Sequence, residues 1–447
     1  MTRILVIGAG RSAVSLIDYL VEQAPVLDWH ITVADMDEQL ALSRTGGRER
    51  TKAIAFDIRN DDQRRSLIAE CDFVVSMLPA IMHGEVARDC VALGKHMATA
   101  SYVSADMKAL DEEARRKGLL LLNECGLDPG IDHASAMKII HSIQDLGGKV
   151  LDFYSYCGGL VAPISNDNPW GYKFSWNPRN VVVAGQSTAQ YIENGKLRFI
   201  PYSRIFDQIA TVAVDGHQTF DAYANRDSLS YVDVYQLKGV RTLLRGTLRQ
   251  LGYCNAWNVL VQLGWTDDTS KIGDTSGMTM RSWLEASLPP GRGQLANRLK
   301  KFVGKKWNEQ TAAMLDYLGI YSTTPLPLSS GTPAQLLQAI LEQKWVLKKG
   351  DRDMVVMQHQ FVYQLPRTGK TEHRLTSSLI LEGRDANHTA MALTVGLPLA
   401  IAVKLFLTGA FQLTGVQIPI RPEIYNPMLA ELAQHGITFR EQGELLG

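Results

Sequence analysis

The first thirteen residues constrain the fold most. An apolar run, Arg3–Ile7, leads directly into Gly8-Ala9-Gly10-Arg11-Ser12-Ala13, and a helical stretch follows. That order predicts a strand, a tight turn and a helix, the fingerprint of a dinucleotide-binding βαβ unit with alanine in its last position. Gly8 permits the turn, Gly10 lets backbone amides approach a pyrophosphate, and Ala13 allows the helix to pack closely, its N-terminus facing the anion. A glycine-rich turn can also serve packing alone. Asp35 strengthens the functional reading, because it ends the second predicted strand, where a carboxylate accepts hydrogen bonds from ribose hydroxyls and repels a 2′-phosphate. Asp37 beside it offers a second carboxylate, whereas Arg11, Arg44, Arg48 and Arg50 are potential phosphate partners. NAD is expected over NADP, with NADP kept open.

Residues 1–125 repeat this rhythm. Strands are expected at Arg3–Ile7, Ile31–Ala34, Ala53–Phe56, Phe73–Met77, His96–Thr99 and Leu119–Leu122, with helices at Ser12–Glu22, Asp62–Ala69, Gly84–Leu93 and Asp106–Lys117. Short Val-, Ile- and Leu-rich strands separated by crossover lengths predict a doubly wound parallel sheet of the Rossmann type. Ligands in such sheets bind at the carboxyl ends of the strands. The polar strand ends at Ser76-Met77-Leu78-Pro79, Ala100-Ser101-Tyr102 and Asn123–Gly130 are therefore expected to frame the site. The expected cofactor contacts are Gly8, Gly10, Arg11, Ser12, Ala13, Asp35, Asp57, Ser76, Leu78 and Ser101.

After Pro129 the pattern changes. Tyr154–Gly159 reads as an aromatic, glycine-rich loop, Ala162–Arg179 as a long irregular one, and Thr242 to about Leu318 as helical. Alternation at Asp353–Gln364 and His373–Glu382 predicts antiparallel strands. A helix follows from about Ala386 to Gly409. The stretch Ala392–Ala410 within it approaches the length of a membrane span, but it contains Pro398 and Lys404, and a lysine near mid-span costs roughly 2.5–3.5 kcal/mol to insert. A buried helix packed on a sheet is expected instead.

With 447 residues the chain exceeds a single core, so two or three domains are expected. Lysine plus arginine equals aspartate plus glutamate at 46 each, which argues against nucleic acid or an anionic membrane as partner. Cys71, Cys90, Cys125, Cys157 and Cys254 show no metal-ligand spacing and read as cytoplasmic thiols, with no metal expected. Met1-Thr2-Arg3 leads into a strand without signal-peptide features, so export is not expected.

Longer strings carry a resemblance. Leu127-Asp128-Pro129-Gly130-Ile131-Asp132-His133, Ser155-Tyr156-Cys157-Gly158-Gly159-Leu160 and Asn168-Pro169-Trp170-Gly171-Tyr172-Lys173-Phe174-Ser175-Trp176 closely resemble the glutamate-forming saccharopine dehydrogenases, or saccharopine reductases. The likeness continues through Asn225-Arg226-Asp227-Ser228, Arg245-Gly246-Thr247-Leu248-Arg249 and Arg352–Val356, essentially end to end. It implies reversible oxidation of saccharopine, in lysine metabolism, to an imine that water splits into glutamate and 2-aminoadipate 6-semialdehyde. It also implies a homodimer with three regions: a Rossmann domain (1–128, completed by 386–425), a mixed-sheet substrate and dimerisation domain (129–241 and 345–385), and a helical domain (242–344).

By the same resemblance Ser101, Tyr102, Asp128, Ser175, Arg226, Thr247, Leu248 and Arg249 bind the substrate. Saccharopine carries three carboxylates, for which guanidinium groups are the best bidentate partners. Tyr102, Asp128 and Cys157 are the implied acid–base candidates, since the amine must be neutral before hydride leaves and imine hydrolysis moves further protons. A free cysteine is more often a buried small hydrophobe than a catalyst. Where fungal members carry a cysteine–arginine–threonine run suited to a 2′-phosphate, this chain has Asp35-Met36-Asp37, so the cofactor is not inherited from the resemblance. Two other readings stay open: a Schiff-base reductase like carboxynorspermidine dehydrogenase, disfavoured by the arginines, and a catalytically silent NAD-binding regulator.

Overall fold

The computed structural model describes residues 1–214 and 218–443. Its contacts divide the chain into two units, each built on its own sheet: Met1–Gly147 with Gly383–Arg440, and Gly148–Glu382 with the residues from Glu441.

In the first unit the strands are β1 (Thr2–Ile7), β2 (Trp29–Asp35), β3 (Thr51–Ala55), β4 (Phe73–Ser76), β5 (His96–Thr99) and β6 (Leu120–Leu122). They lie in the order β3-β2-β1-β4-β5-β6, with Gly415–Gln417 added beside β6. Every pairing is parallel. A parallel sheet is covered on both faces, which is why β4 is buried along its whole length and apolar up to Ser76. The strand order reverses between β1 and β4, and the carboxyl ends there open the crevice in which this topology binds ligands.

Of the four expected crossover helices, two depart from expectation, and a further one forms at Glu38–Thr45. The first opens as a 3-10 turn at Arg11–Ala13 and continues to Leu27 rather than Glu22, burying Ala24 before Asp28 ends it at φ +54°. The expected helix Asp106–Lys117 is two, Ala105–Ala109 and Asp111–Arg116, because the Leu110 amide bonds three residues back to Met107 and tightens the chain there.

The apolar helix Ala390–Leu407 is long and apolar enough to cross a membrane, yet 72% of it is buried inside the structure. Gly396 lets it approach the first helix so closely that a Cβ there would lie 3.0 Å from the Ser12 carbonyl. Phe406 packs on Phe73 of β4 and His96 of β5. Lys404 lies 2.5 Å from Glu431, which also bonds Tyr19, so its charge is paired within the fold.

The second unit holds β7 (Lys149–Val161), β8 (Ala189–Glu193), β9 (Lys196–Ile200), β10 (Ile209–Val214), β11 (Gln218–Ala224), β12 (Thr242–Gln250), β13 (Asp353–Gln364) and β14 (His373–Glu382). The sheet runs β10-β11-β12-β7-β13-β14, with Arg440–Gly443 beside β14 and the β8–β9 hairpin on β12. Among β7 to β14, β7 and β12 pair in parallel and the other pairs are antiparallel, so the sheet is mixed.

Two expectations are corrected here. Tyr154–Gly159 is no loop but the interior of the 13-residue strand β7. Its glycine is a contact requirement, since a Cβ on Gly158 would lie 2.5 Å from the Leu248 carbonyl. The helical pattern does not start at Thr242, because Thr242–Gln250 is the strand β12, beside β7. Leu244 and Leu248 lie on one face of this strand and Arg245 and Arg249 on the other, whereas the same spacing suggested one face of a helix. Helices follow at Tyr253–Gln262, Met280–Ser287, Leu295–Val303, Glu309–Tyr317 and Pro333–Lys344. They close on a core containing Trp170, Tyr172, Phe174, Trp257 and Trp345, with Trp265 and Trp283 stacked at 3.9 Å.

Candidate functional site

The turn after β1 has the shape a dinucleotide needs. Gly8 has φ +102°, and a Cβ there would sit 3.0 Å from the Met77 carbonyl. Gly10 is exposed, and nothing lies within 4 Å of where its Cβ would be, so the backbone of the turn is open to a ligand. Ala13 is buried against the fold, while Arg11 is exposed and Ser12 half-buried. The Asp35 carboxylate accepts the Ala9 amide at 2.7 Å and the Asp37 amide at 3.0 Å, which pins it beside the turn. Arg44, expected as a potential phosphate partner, donates to the Ala9 carbonyl at 3.2 Å. Asp57 lies beyond β3, where two bonds from Arg59, at 3.0 and 2.9 Å, hold its carboxyl below the usual carboxylate range.

At the ends of β4 and β5 the structure joins two expected residues through one that sequence reasoning missed. The Ser76 hydroxyl meets His83 Nδ1 at 2.9 Å, and His83 Nε2 meets Ser101 at 2.8 Å and Thr99 at 3.2 Å. Ser76 is fully buried, so its hydroxyl serves this relay; Leu78 and Ser101 are half-buried. Burial pushes His83 down from 6.5 to about 4, and its place at the start of helix His83–Leu93 also disfavours an imidazolium. A neutral ring has one donor and one acceptor, so the hydroxyls on its two sides take opposite roles.

This depressed pKa has a measurable consequence. The unfolded chain takes up the His83 proton first, so stability is level above the ordinary value of 6.5 and falls as pH drops from there towards about 4. The full shift corresponds to at most about 3 kcal/mol. Denaturant unfolding of wild type and His83→Gln between pH 7 and 4.5 is expected to show the steeper acid loss in wild type. Parallel losses would exclude His83 as the cause.

The loop after β6 is tightly wound. Gly126 donates to the Pro129 carbonyl at 2.9 Å, Ile131 donates back to Gly126 at 2.8 Å, and the Asp132 carboxylate accepts the Gly130 amide at 2.6 Å. The Asp128–Pro129 peptide within it is cis. Asp128 is half-buried there, and the exposed Tyr102 donates its hydroxyl to Asp128 at 3.2 Å, bringing two expected acid–base groups together.

In the second unit, strand alternation assembles a face. Cys157 on β7 is in register with Thr247 on β12, and Thr247 with Tyr223 on β11. Thr247 shares its side of β12 with Arg245 and Arg249, whereas Leu248 points to the opposite side and packs with Tyr156, Leu160 and Phe220. A substrate on the arginine face would therefore meet the backbone of Leu248. Arg249 is 4% exposed, with its guanidinium 5.4, 5.9 and 5.5 Å from the ring centres of Tyr172, Tyr223 and Tyr253. One of its terminal nitrogens donates to the Leu248 carbonyl at 2.9 Å, and its buried Nε has no partner among the described residues. Arg245 lies over the Tyr231 ring at 4.2 Å. Arg226 is exposed at φ +46°, and Ser175 is buried.

Sequence reasoning missed this tyrosine cage. Tyr172 and Tyr223 are distant from Arg249 in sequence, and the nearby Tyr253 lies on the next element, helix Tyr253–Gln262. All five cysteines, Cys157 among them, are buried and none forms a disulfide.

Comparison with known proteins agrees with this architecture. Residues 4–122 match the model of the saccharopine dehydrogenase NADP binding domain, and residues 126–437 that of the saccharopine dehydrogenase C-terminal domain. The chain is 32% identical, over 99% of both proteins, to the NADP(+), L-glutamate-forming saccharopine dehydrogenase of Schizosaccharomyces pombe. It is 32% identical to the mitochondrial alpha-aminoadipic semialdehyde synthase of Bos taurus over 99% of this chain and 48% of that protein. The solved structure of apo saccharopine dehydrogenase (L-Glu forming) from Saccharomyces cerevisiae superposes with a TM-score of 0.90 at 31% identity, covering 99% of this chain and all of that one. With both of its units matched, this chain belongs to the saccharopine dehydrogenase family.

Proposed function

We propose that the protein catalyses the reversible, nicotinamide-dependent oxidation of saccharopine to glutamate and 2-aminoadipate 6-semialdehyde in lysine metabolism, with NAD as the preferred cofactor. The observation that carries the reading is a dinucleotide-type turn and a buried, aromatic-caged arginine in a chain alike end to end with glutamate-forming saccharopine dehydrogenases. Gly8, Gly10, Arg11, Ser12, Ala13 and Asp35 hold the dinucleotide, whose nicotinamide takes up or returns the hydride at the carbon–nitrogen bond. Arg226 and Arg249 bind substrate carboxylates, with Ser101, Ser175, Thr247 and the Leu248 backbone as further contacts. Tyr102 and Asp128 exchange the protons that leave and rejoin the amine and water, with Cys157 as a third candidate. A caged cation repels the cationic amines of a polyamine substrate, which disfavours the Schiff-base reductase alternative. The same reading makes the enzyme a cytoplasmic homodimer that dimerises through its mixed sheet.

Cofactor choice rests on Asp35. The Schizosaccharomyces pombe relative is named for NADP(+), but in this chain the 2′-phosphate of NADP would approach a carboxylate already fixed by two backbone amides. Steady-state kinetics with saccharopine are expected to give kcat/KM at least about tenfold higher with NAD than with NADP, and Asp35→Ala is expected to erase most of that ratio. Preference of the wild type for NADP would overturn this assignment while leaving the saccharopine activity standing.

A further inference from the structure

Glu124 occupies an expensive position. It adopts φ +56°, which costs a residue with a side chain on the order of 1 kcal/mol, and its carboxyl group is almost fully buried. Such a residue persists where its surroundings hold it from several sides. Its backbone amide donates to the Ser101 carbonyl at 3.0 Å, and its Oε1 accepts the Val103 amide at 3.0 Å. The peptide groups on both sides of Tyr102 are thus anchored to one residue. Its second oxygen, Oε2, lies 2.7 Å from Nε2 of His133, which is wholly buried on helix Ile131–Asp145.

The loop that starts at Glu124 also carries Asp128, which receives the Tyr102 hydroxyl at 3.2 Å. The Tyr102 backbone and the Tyr102 partner therefore hang from the same short segment, and that segment is braced on a buried histidine. We propose that Glu124, held by His133, is the positioning residue that sets the Tyr102 hydroxyl against Asp128. This rests on the reading that Tyr102 exchanges protons in the reaction. Glu124 touches neither the hydroxyl nor Asp128 in the contacts above; it acts through the Tyr102 backbone.

The test is a double-mutant cycle on the full-length protein, assayed with saccharopine and NAD. Tyr102→Phe is expected to lower kcat about 100-fold, the size of a lost proton-transfer group. Glu124→Ala is expected to lower kcat about 10- to 50-fold with both KM values within about twofold, and to have less than about a twofold further effect in the Tyr102→Phe background. Glu124→Gln retains an oxygen for the Val103 amide and is expected to stay within about threefold of wild type. If Glu124→Ala yields no folded protein, His133→Asn replaces it in the cycle, with the same lack of further effect expected in the Tyr102→Phe background. An equal loss in both backgrounds, or a rise in KM at unchanged kcat, overturns the positioning role. An undiminished kcat in Tyr102→Phe alone removes the acid–base reading of Tyr102, and a loss in Glu124→Ala beside it shows that Glu124 acts elsewhere.

Discussion

Gly130→Ala is expected to yield protein that is either unfolded or inactive at 25 °C. Gly130 has φ +145° and ψ −84°, outside the regions open to residues with a side chain. A Cβ there would lie 2.0 Å from the Gly126 carbonyl oxygen and 2.2 Å from the Gly126 nitrogen, and both are backbone atoms of the same tight loop. No rotamer change relieves such a clash. Backbone strain of about 1–3 kcal/mol and overpacking of about 1–3 kcal/mol add to a large share of the 5–15 kcal/mol that holds an ordinary domain together. If the loop yields instead of the domain, Asp128 shifts and with it the acceptor of the Tyr102 hydroxyl. Circular dichroism melting together with saccharopine-dependent reduction of NAD reads both outcomes. A variant with an unchanged melting temperature and kcat/KM within about twofold of wild type would show that the loop is not built as described.

Arg249→Met is expected to separate stability from activity. No carboxylate pairs with Arg249 among the described residues, and its Nε is buried without a partner, so the fold itself spends desolvation energy on this charge. Methionine fills much of the same volume among Tyr172, Tyr223 and Tyr253 without that cost. The melting temperature is therefore expected to hold or rise. Activity is expected to move the other way, with kcat/KM for saccharopine falling about 100-fold or more, as the loss of a desolvated arginine–carboxylate contact implies. Arg249→Lys is expected to recover little, because a point charge does not reproduce the planar fork. Retention of kcat/KM within about threefold would make Arg249 a packing element and send the substrate carboxylate elsewhere.

The parallel-sheet unit was legible because its code is local. β1 through β6 were each expected within two residues of their observed ends, since a short apolar run followed by a polar turn has few other solutions at that length. The strands β13 and β14 coincide with the expected Asp353–Gln364 and His373–Glu382 for a similar reason, their period-two alternation. β7 and β12 were misread because their glycines and arginines answer to partners far along the chain. Gly158 is small for the sake of Leu248, and Arg249 finds its three rings on other elements.

By itself the sequence determined the doubly wound sheet, the dinucleotide turn with Asp35 beside it, and, through long ordered strings, the family. The tertiary structure alone decided that His83 bridges Ser76 and Ser101, that Glu124 brackets Tyr102, and that Arg249 is buried in tyrosines. The physical reason is range. Strand, turn and helix signals depend on neighbours a few residues away, whereas burial and hydrogen-bond partnership depend on which distant segments the packed core brings within about 3 Å of one another.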